Sequence, residues 1–303
     1  MNKAILAISI LWAVVAQAQI LNVSSVERLA VPSDEGTVMQ AVGISPQGSY
    51  LLLSSDTKQG LVKWDLATGG MSTLTSDAGA GSEVCISEDG NQVVYGEITY
   101  KNKRRHESVK AIDLNTNKKQ TLVKQTRNLQ GFTVENGTAA TVTDGNVKLH
   151  AVKKGASKAM TRPVLSHHHL KLYLTQNGVT KMFAPNGADE RYIWASLSPD
   201  GSRVLYYVSG HGAFVCDIDG SHVISMGNLT APKWWDNNTI VGMNEVDDEY
   251  HVIASSIVAC TLDAQQQVLT GDDVIATYPL PCRESGKIAF STPDGNIYLI
   301  HVK

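Results

Sequence analysis

A recurring apolar strand, tight turn, apolar strand pattern runs through most of the chain, and it constrains the fold more than any single motif. Ile44-Ser45-Pro46-Gln47-Gly48-Ser49-Tyr50-Leu51-Leu52-Leu53 has counterparts in Ile86-Ser87-Glu88-Asp89-Gly90-Asn91-Gln92-Val93-Val94-Tyr95 and in Leu197-Ser198-Pro199-Asp200-Gly201-Ser202-Arg203-Val204-Leu205-Tyr206. Pro presets φ for the first turn position, Asp or Gln bonds back to the backbone, and Gly takes the positive-φ position without a Cβ clash. Weaker copies occur at Val134-Glu135-Asn136-Gly137, Trp235-Asp236-Asn237-Asn238-Thr239 and Glu284-Ser285-Gly286-Lys287-Ile288. A seventh, Leu165 to Leu174, aligns without a gap on Ile44 to Leu53 and carries His167-His168-His169 where the others carry Pro-x-Gly.

After each turn the pattern adds a second turn, a third strand, a third turn and a short fourth strand, as in Leu61-Val62-Lys63-Trp64-Asp65-Leu66 followed by Met71-Ser72-Thr73-Leu74-Thr75. Four antiparallel strands per unit describe a propeller blade. The turns from Gly48 to Gly286 recur about every 40 residues, the length of such a blade. Seven blades fit the chain, and six result if the two shortest units, near Gly137 and His169, merge. After Gly286 too little chain is left for four strands, whereas Val23 to Val31 is a strand without a blade. Pairing the two completes the last blade and removes its open edges. No long window places apolar residues at i, i+3, i+4 and i+7, so the expected fold class is all-β, a propeller spanning residues 19–303 and closed by its N-terminal strand.

The first 18 residues read as a secretory signal peptide: Lys3, an apolar stretch from Ala4 to Val15, then Ala16-Gln17-Ala18 ahead of Gln19. The stretch is shorter than the roughly 20 residues that span a bilayer, so the expectation is a periplasmic or secreted protein with no membrane span, cleaved near Ala18. Cys85, Cys216, Cys260 and Cys282 form no C-x-x-C pair. Buried thiols and one disulfide both remain open.

The turn residues also carry a family likeness. Ser198-Pro199-Asp200-Gly201 matches, Ser45-Pro46-Gln47-Gly48 and Ser87-Glu88-Asp89-Gly90 match in part, and Thr292-Pro293-Asp294-Gly295 is similar one turn later. With these the sequence resembles the TolB-type β-propeller repeat family, a bacterial relative of the WD and kelch repeats. The resemblance implies a propeller in the bacterial envelope or outside the cell. It carries over no catalytic residue, because the matching positions are turn formers, and the family's relatives include binding modules, oligopeptidase lids and carbohydrate-active enzymes.

Chemistry-bearing motifs are sparse. No Gly-x-Ser-x-Gly elbow is present, which argues against a serine peptidase. The 26 Lys and Arg against 29 Asp and Glu give a net charge of −3, without the positive field that a nucleic-acid binder needs. His167, His168 and His169 are the weak metal candidates, since imidazole suits zinc, copper or nickel, although a short turn splays its side chains. Glu245, Asp247, Asp248 and Glu249 lack the ligand spacing of a calcium loop. Lys101, Lys103, Arg104, Arg105 and His106 form a basic counterpart suited to an anionic partner, and the two loops are expected on one face of the disc. Trp234 and Trp235 point to opposite sides of a strand, so one of them could reach solvent or the channel, whereas Trp64 and Trp194 read as core.

The sequence therefore supports a non-catalytic scaffold that binds another envelope or extracellular protein, or a glycan, through Trp234, Trp235, Arg104 and Arg105. No cofactor is expected. The alternative is a carbohydrate-active or other enzyme with polar groups converging in the central channel.

Overall fold

The computed structural model describes residues 19–31, 38–157, 159–248 and 251–303. The signal-peptide reading and Glu249 lie outside them. Among the described residues seven antiparallel sheets form the blades, and the single helical turn is Arg283–Ser285. Blades 1 and 2 occupy residues 39–75 and 84–126, blades 3 and 4 residues 129–151 and 164–182, and blades 5 and 6 residues 192–225 and 230–268. Blade 7 joins residues 277–302 to the N-terminal strand Val23–Leu29, which pairs with Ile297–Val302. The strand that has no blade of its own in the sequence thus closes the ring.

The second strand of a blade is sandwiched between its neighbours on both sides, and for that reason it reads as a continuous apolar run rather than an alternation. Leu51, Leu52 and Leu53, Val93 to Tyr95, Val204 to Tyr206 and Ile288 to Phe290 are all fully buried. Seven core clusters follow, one for each seam between adjacent blades. The seam between blades 3 and 4 has the smallest apolar core among the described residues, in which Ala140, Val142 and Val164 are buried.

Five blades have four strands, whereas blades 3 and 4 have three. The two short units do not merge, and each stands as a blade without an outermost strand. A blade with an odd number of strands delivers the chain to the opposite face, so blade 4 is entered from the other side. Glu135, at the end of the blade 3 inner strand, bonds Thr161 and Arg162 just ahead of Val164–His168. His168 and His169 share a recess with Asn128 and Gln130, at the start of that same blade 3 strand. The two inner strands therefore run antiparallel. The second three-stranded blade restores the direction, and Tyr192 N–H donates to Leu170 O at 2.8 Å where blade 5 begins.

On one face the six remaining first turns form a belt. Lys287 Nζ donates to Gly48 O at 2.9 Å, Gln47 Nε2 to Glu88 O at 2.7 Å and Asn136 N to Glu88 Oε2 at 2.9 Å. Across inverted blade 4 the belt is carried by Arg162, whose Nη2 donates to Ser198 O at 2.6 Å. Asp200 N then donates to Asn237 Oδ1 at 3.0 Å, and Arg283 lies 3.9 Å from Asp236. Gly48 sits at φ 62°, and a Cβ there would come within 2.0 Å of Ser285 Oγ in blade 7.

Inside the strong turns a buried serine organises the backbone. Ser198 Oγ accepts Arg203 N–H at 3.0 Å and donates to Asp200 at 2.6 Å; Ser87 does the same with Gln92 N–H and Asp89. The Ser198 hydroxyl, then Ser202 N–H and Ser202 hydroxyl, hold the Asp200 carboxyl down at about 2. A depressed carboxyl stabilises the fold above its unfolded value near 4, and that contribution is lost as pH falls from about 4 to about 2.

Two outcomes are expected. Deleting residues 19–31 uncovers the edge of Ile297–Val302, and differential scanning calorimetry should show a melting temperature lower by roughly 5 °C or more, the shift for a few kcal/mol in a domain of this size. Ser198→Ala should cost about 1–2 kcal/mol in chemical denaturation at neutral pH, and less near pH 2, where Asp200 is protonated.

Candidate functional site

Inner strands carry the side chains that face the channel, and several are bent there. Register shifts interrupt the inner strands of blades 1, 3, 5, 6 and 7, at Ala41/Gly43, Leu129/Gly131, Ile193/Ser196, Thr230/Lys233 and Thr277/Leu280. Trp194, Ala231 and Tyr278 sit in these bulges at φ 52°, 44° and 52°, a conformation that costs a non-glycine residue about 1–2 kcal/mol. A bulge re-aims the side chains that follow it. In blade 6 the residue after the bulge is Lys233.

A cavity of about 370 Å³ opens among the inner strands of blades 2 to 6, lined by Glu83 and Cys85, Gln130 to Glu135, Arg162, His167, Ser196 and Lys233. Glu83 and Lys233 both touch solvent although blades enclose them on all sides, as expected for groups in a water-filled channel. Enclosure pushes the Glu83 carboxyl up to about 7, with the nearby Glu107 adding to the rise and Lys233 opposing it. Enclosure lowers the Lys233 ammonium, against the pull of Cys85 and Glu83. The Cys85 thiol is driven to about 12 by burial and by Glu83, so it is no nucleophile at neutral pH. Burial lowers His167 as well, which keeps its imidazole neutral.

Three groups of the wall reach no partner. His167 Nε2, Ser196 Oγ and Arg162 Nε are buried without a hydrogen bond. The backbone N–H of Arg162 is held by Glu135, which also accepts from Thr161, and its Nη2 by Ser198 O. The wall therefore offers an acid that exchanges its proton near neutral pH, an ammonium and a neutral imidazole, contributed by three different blades.

Sequence reasoning missed Glu83, Lys233, Arg162 and Ser196. Glu83 precedes a strand of only three residues, Val84–Ile86, and Lys233 stands beside two conspicuous tryptophans. Trp235 packs into the seam of blades 6 and 7, and Trp234 packs between blades 5 and 6 with its indole N–H 3.3 Å from Ser196 O. The histidine triplet divides. His167 enters the channel, while His168 and His169 meet edge-to-face, ring centres 4.1 Å apart, on the face opposite the turn belt, because blade 4 is inverted. No group of three His, Cys, Asp or Glu suited to a metal occurs among the described residues, and all four cysteines are free thiols.

Arg104 and Arg105 lie at the end of the long hairpin of blade 2, Gln92–Lys101 and Arg104–Asp113. The acidic residues Glu245, Asp247 and Asp248 lie on the corresponding hairpin of blade 6, from Thr239–Asp247 to Val252–Thr261. Both hairpins link second and third strands of four-stranded blades, so both project from the face opposite the belt. Asp248 accepts His251 N–H at 2.7 Å. Among the described residues no helix is long and apolar enough to cross a membrane.

No protein-family model and no curated protein matches the sequence. Solved structures do match the fold. An oligogalacturonate lyase from Vibrio parahaemolyticus is 12% identical with a TM-score of 0.50, over 93% of this chain and 98% of its own. A putative TolB from Agrobacterium tumefaciens is 15% identical with a TM-score of 0.52, over 88% and 91%. A chain of the mitotic checkpoint complex is 12% identical with a TM-score of 0.57, over 99% and 100%. At these identities the likeness concerns the propeller fold, including that of a TolB, and nothing finer.

Glu83 generates a pH test. Its carboxyl sits above the ordinary 4.5 at about 7, so the folded state holds the proton more tightly than the unfolded one, and stability drains away as pH rises from about 4.5 to 7. Denaturation curves of Glu83→Gln across that window should be flatter than those of the parent.

Proposed function

We propose that this protein is an exported, periplasmic or secreted, non-catalytic binding propeller of TolB type, whose binding end is the mouth of the central channel. The observation that carries this reading is the convergence of Glu83, Arg162, His167, Ser196 and Lys233 on one cavity, with His167 Nε2, Ser196 Oγ and Arg162 Nε buried in its wall without a partner. Buried polar groups are ordinarily satisfied, and a concave site with a few convergent polar groups is the usual form of a ligand pocket. The occupant is a segment of another envelope or extracellular protein, or a glycan, that brings acceptors to Lys233 and Arg162 and a partner for His167. The signal-like Ala16-Gln17-Ala18 and the Ser-Pro-Asp-Gly turns support the compartment and the family.

One observation favours the enzymatic alternative. A carboxyl near 7 beside a lowered ammonium is the kind of tuning that general acid–base catalysis uses. On the binding reading the same tuning follows from enclosure, with Glu107 adding to the rise at Glu83.

Affinity capture from envelope extract, with residues 19–303 immobilised, separates the readings. The expected result is a component whose retention falls about tenfold in Lys233→Met, the loss of one charge-assisted hydrogen bond, with the component recovered unmodified. Equal retention by the variant contradicts the channel as the binding end. A retained component that returns cleaved or otherwise altered, with the alteration abolished in Glu83→Gln, establishes the enzyme instead.

A further inference from the structure

A second surface, outside the channel, has the chemistry of an anion site. In the blade 2 hairpin Thr99 pairs with His106, Tyr100 with Arg105 and Lys101 with Arg104. Side chains of successive pairs alternate between the two faces of the ribbon, so Lys101, Arg104 and His106 share one face while Tyr100 and Arg105 take the other. Asn102 and Lys103 form the tip at φ 50° and 61°. Gln125 Nε2 donates to Thr99 Oγ1 at 3.1 Å, which draws the end of the outer strand onto the cationic face and brings Arg127 across from the hairpin. The result is a recess of about 510 Å³ lined by Lys101, Asn102, Arg104, His106 and Arg127.

No acidic residue lines this recess, and among the described residues none of its cations is in an ion pair. The carboxylate that could have neutralised it, Glu107, pairs with Arg105 at 2.8 Å on the opposite face. His106 Nδ1 lies 3.0 Å from Arg104 O, which leaves its other nitrogen for the recess. Solubility of an extended hairpin does not require this arrangement, since the equivalent hairpin of blade 6 is as long and carries acidic residues. Like charges held together on paired strands repel one another, and an anion placed among them removes that cost.

The lining also narrows the class of ligand. A protein partner would be expected to bury an apolar or aromatic anchor, and the recess has none, with Tyr100 turned away. The cations approach from both hairpin strands and from the end of the outer strand. A phosphate within a polymer chain is tetrahedral and shares one negative charge over two non-bridging oxygens, and successive phosphates can take donors from several directions, whereas a planar carboxylate is best matched by one fork. We propose that this recess binds the phosphate groups of a hydrophilic phosphate-bearing polymer, independently of the channel.

The test uses residues 19–303 and inorganic polyphosphate, followed by fluorescence anisotropy. The expected result is binding at low salt whose log affinity falls with log salt at a slope of roughly −2 to −3, for about three displaced counterions. Arg104→Glu with Arg127→Glu should weaken it by at least about tenfold, while Arg105→Glu on the other face and Lys233→Met in the channel should change it little. Melting curves verify that each variant is folded, and Arg104→Gln with Arg127→Gln replaces the reversal if it is not. No binding to polyphosphate at low salt overturns the proposal. So does an equal loss from Arg105→Glu, which would mean a diffuse positive field, and so does polyglutamate binding as tightly as polyphosphate. Failure here leaves the channel reading untouched, because Lys233→Met reports on that alone.

Discussion

Blade-to-blade packing is the interaction on which everything else in this molecule depends. A single four-stranded sheet has two apolar faces and cannot bury either alone, so each blade is stable only between two neighbours and the ring is stable only when closed. The buried clusters sit at the seams and not within the sheets. Closure comes from Val23–Leu29, whose side chains are mostly exposed, so its contribution is chiefly to satisfy the backbone edge of Ile297–Val302. The belt of turn contacts fixes how each blade is set against the next, and with it the positions of the inner strands.

The channel is a consequence of that order. Inner strands pushed together around an axis cannot all pack, and the bulges at Trp194, Ala231 and Tyr278 are held in unfavourable backbone geometry by the seams outside them. Strain maintained by the surrounding packing is the condition under which a rigid frame can hold Lys233, Glu83 and His167 in one enclosed, hydrated space. The thin seam of blades 3 and 4 borders this space, because His167 comes from the inverted blade and Arg162 from the linker just ahead of it. Inversion therefore places the arginine that carries the belt past blade 4 at the wall of the cavity.

The fold was legible in the sequence because its determinants are local. Ser-Pro-Asp-Gly dictates a turn wherever it occurs, and the apolar runs that follow it state that the strand is buried on both faces. The orphan strand at the start and the short remainder at the end pointed to closure in the same way. The inversion of blade 4 was not legible, since it depends on counting strands that are absent, and the gapless alignment of His167 to His169 with the Pro-x-Gly turns conceals it. The site was hidden for a related reason. Whether a residue faces the channel turns on a one-residue bulge, and the two-residue period that places side chains in a strand fails at that point. Trp234 and Trp235 drew notice by their size, whereas the bulge turned Lys233 inward beside them.

The account rests on the channel being where this propeller meets its ligand, and site-specific photo-cross-linking tests that most directly. A photoreactive side chain at Ala195, which lines the cavity without supplying one of its polar groups, is compared with one at Met182 on the exposed outer strand of blade 4. The account expects a covalent adduct with the captured component from position 195 and none from position 182. An adduct from 182 with none from 195 would contradict it and move recognition to the rim.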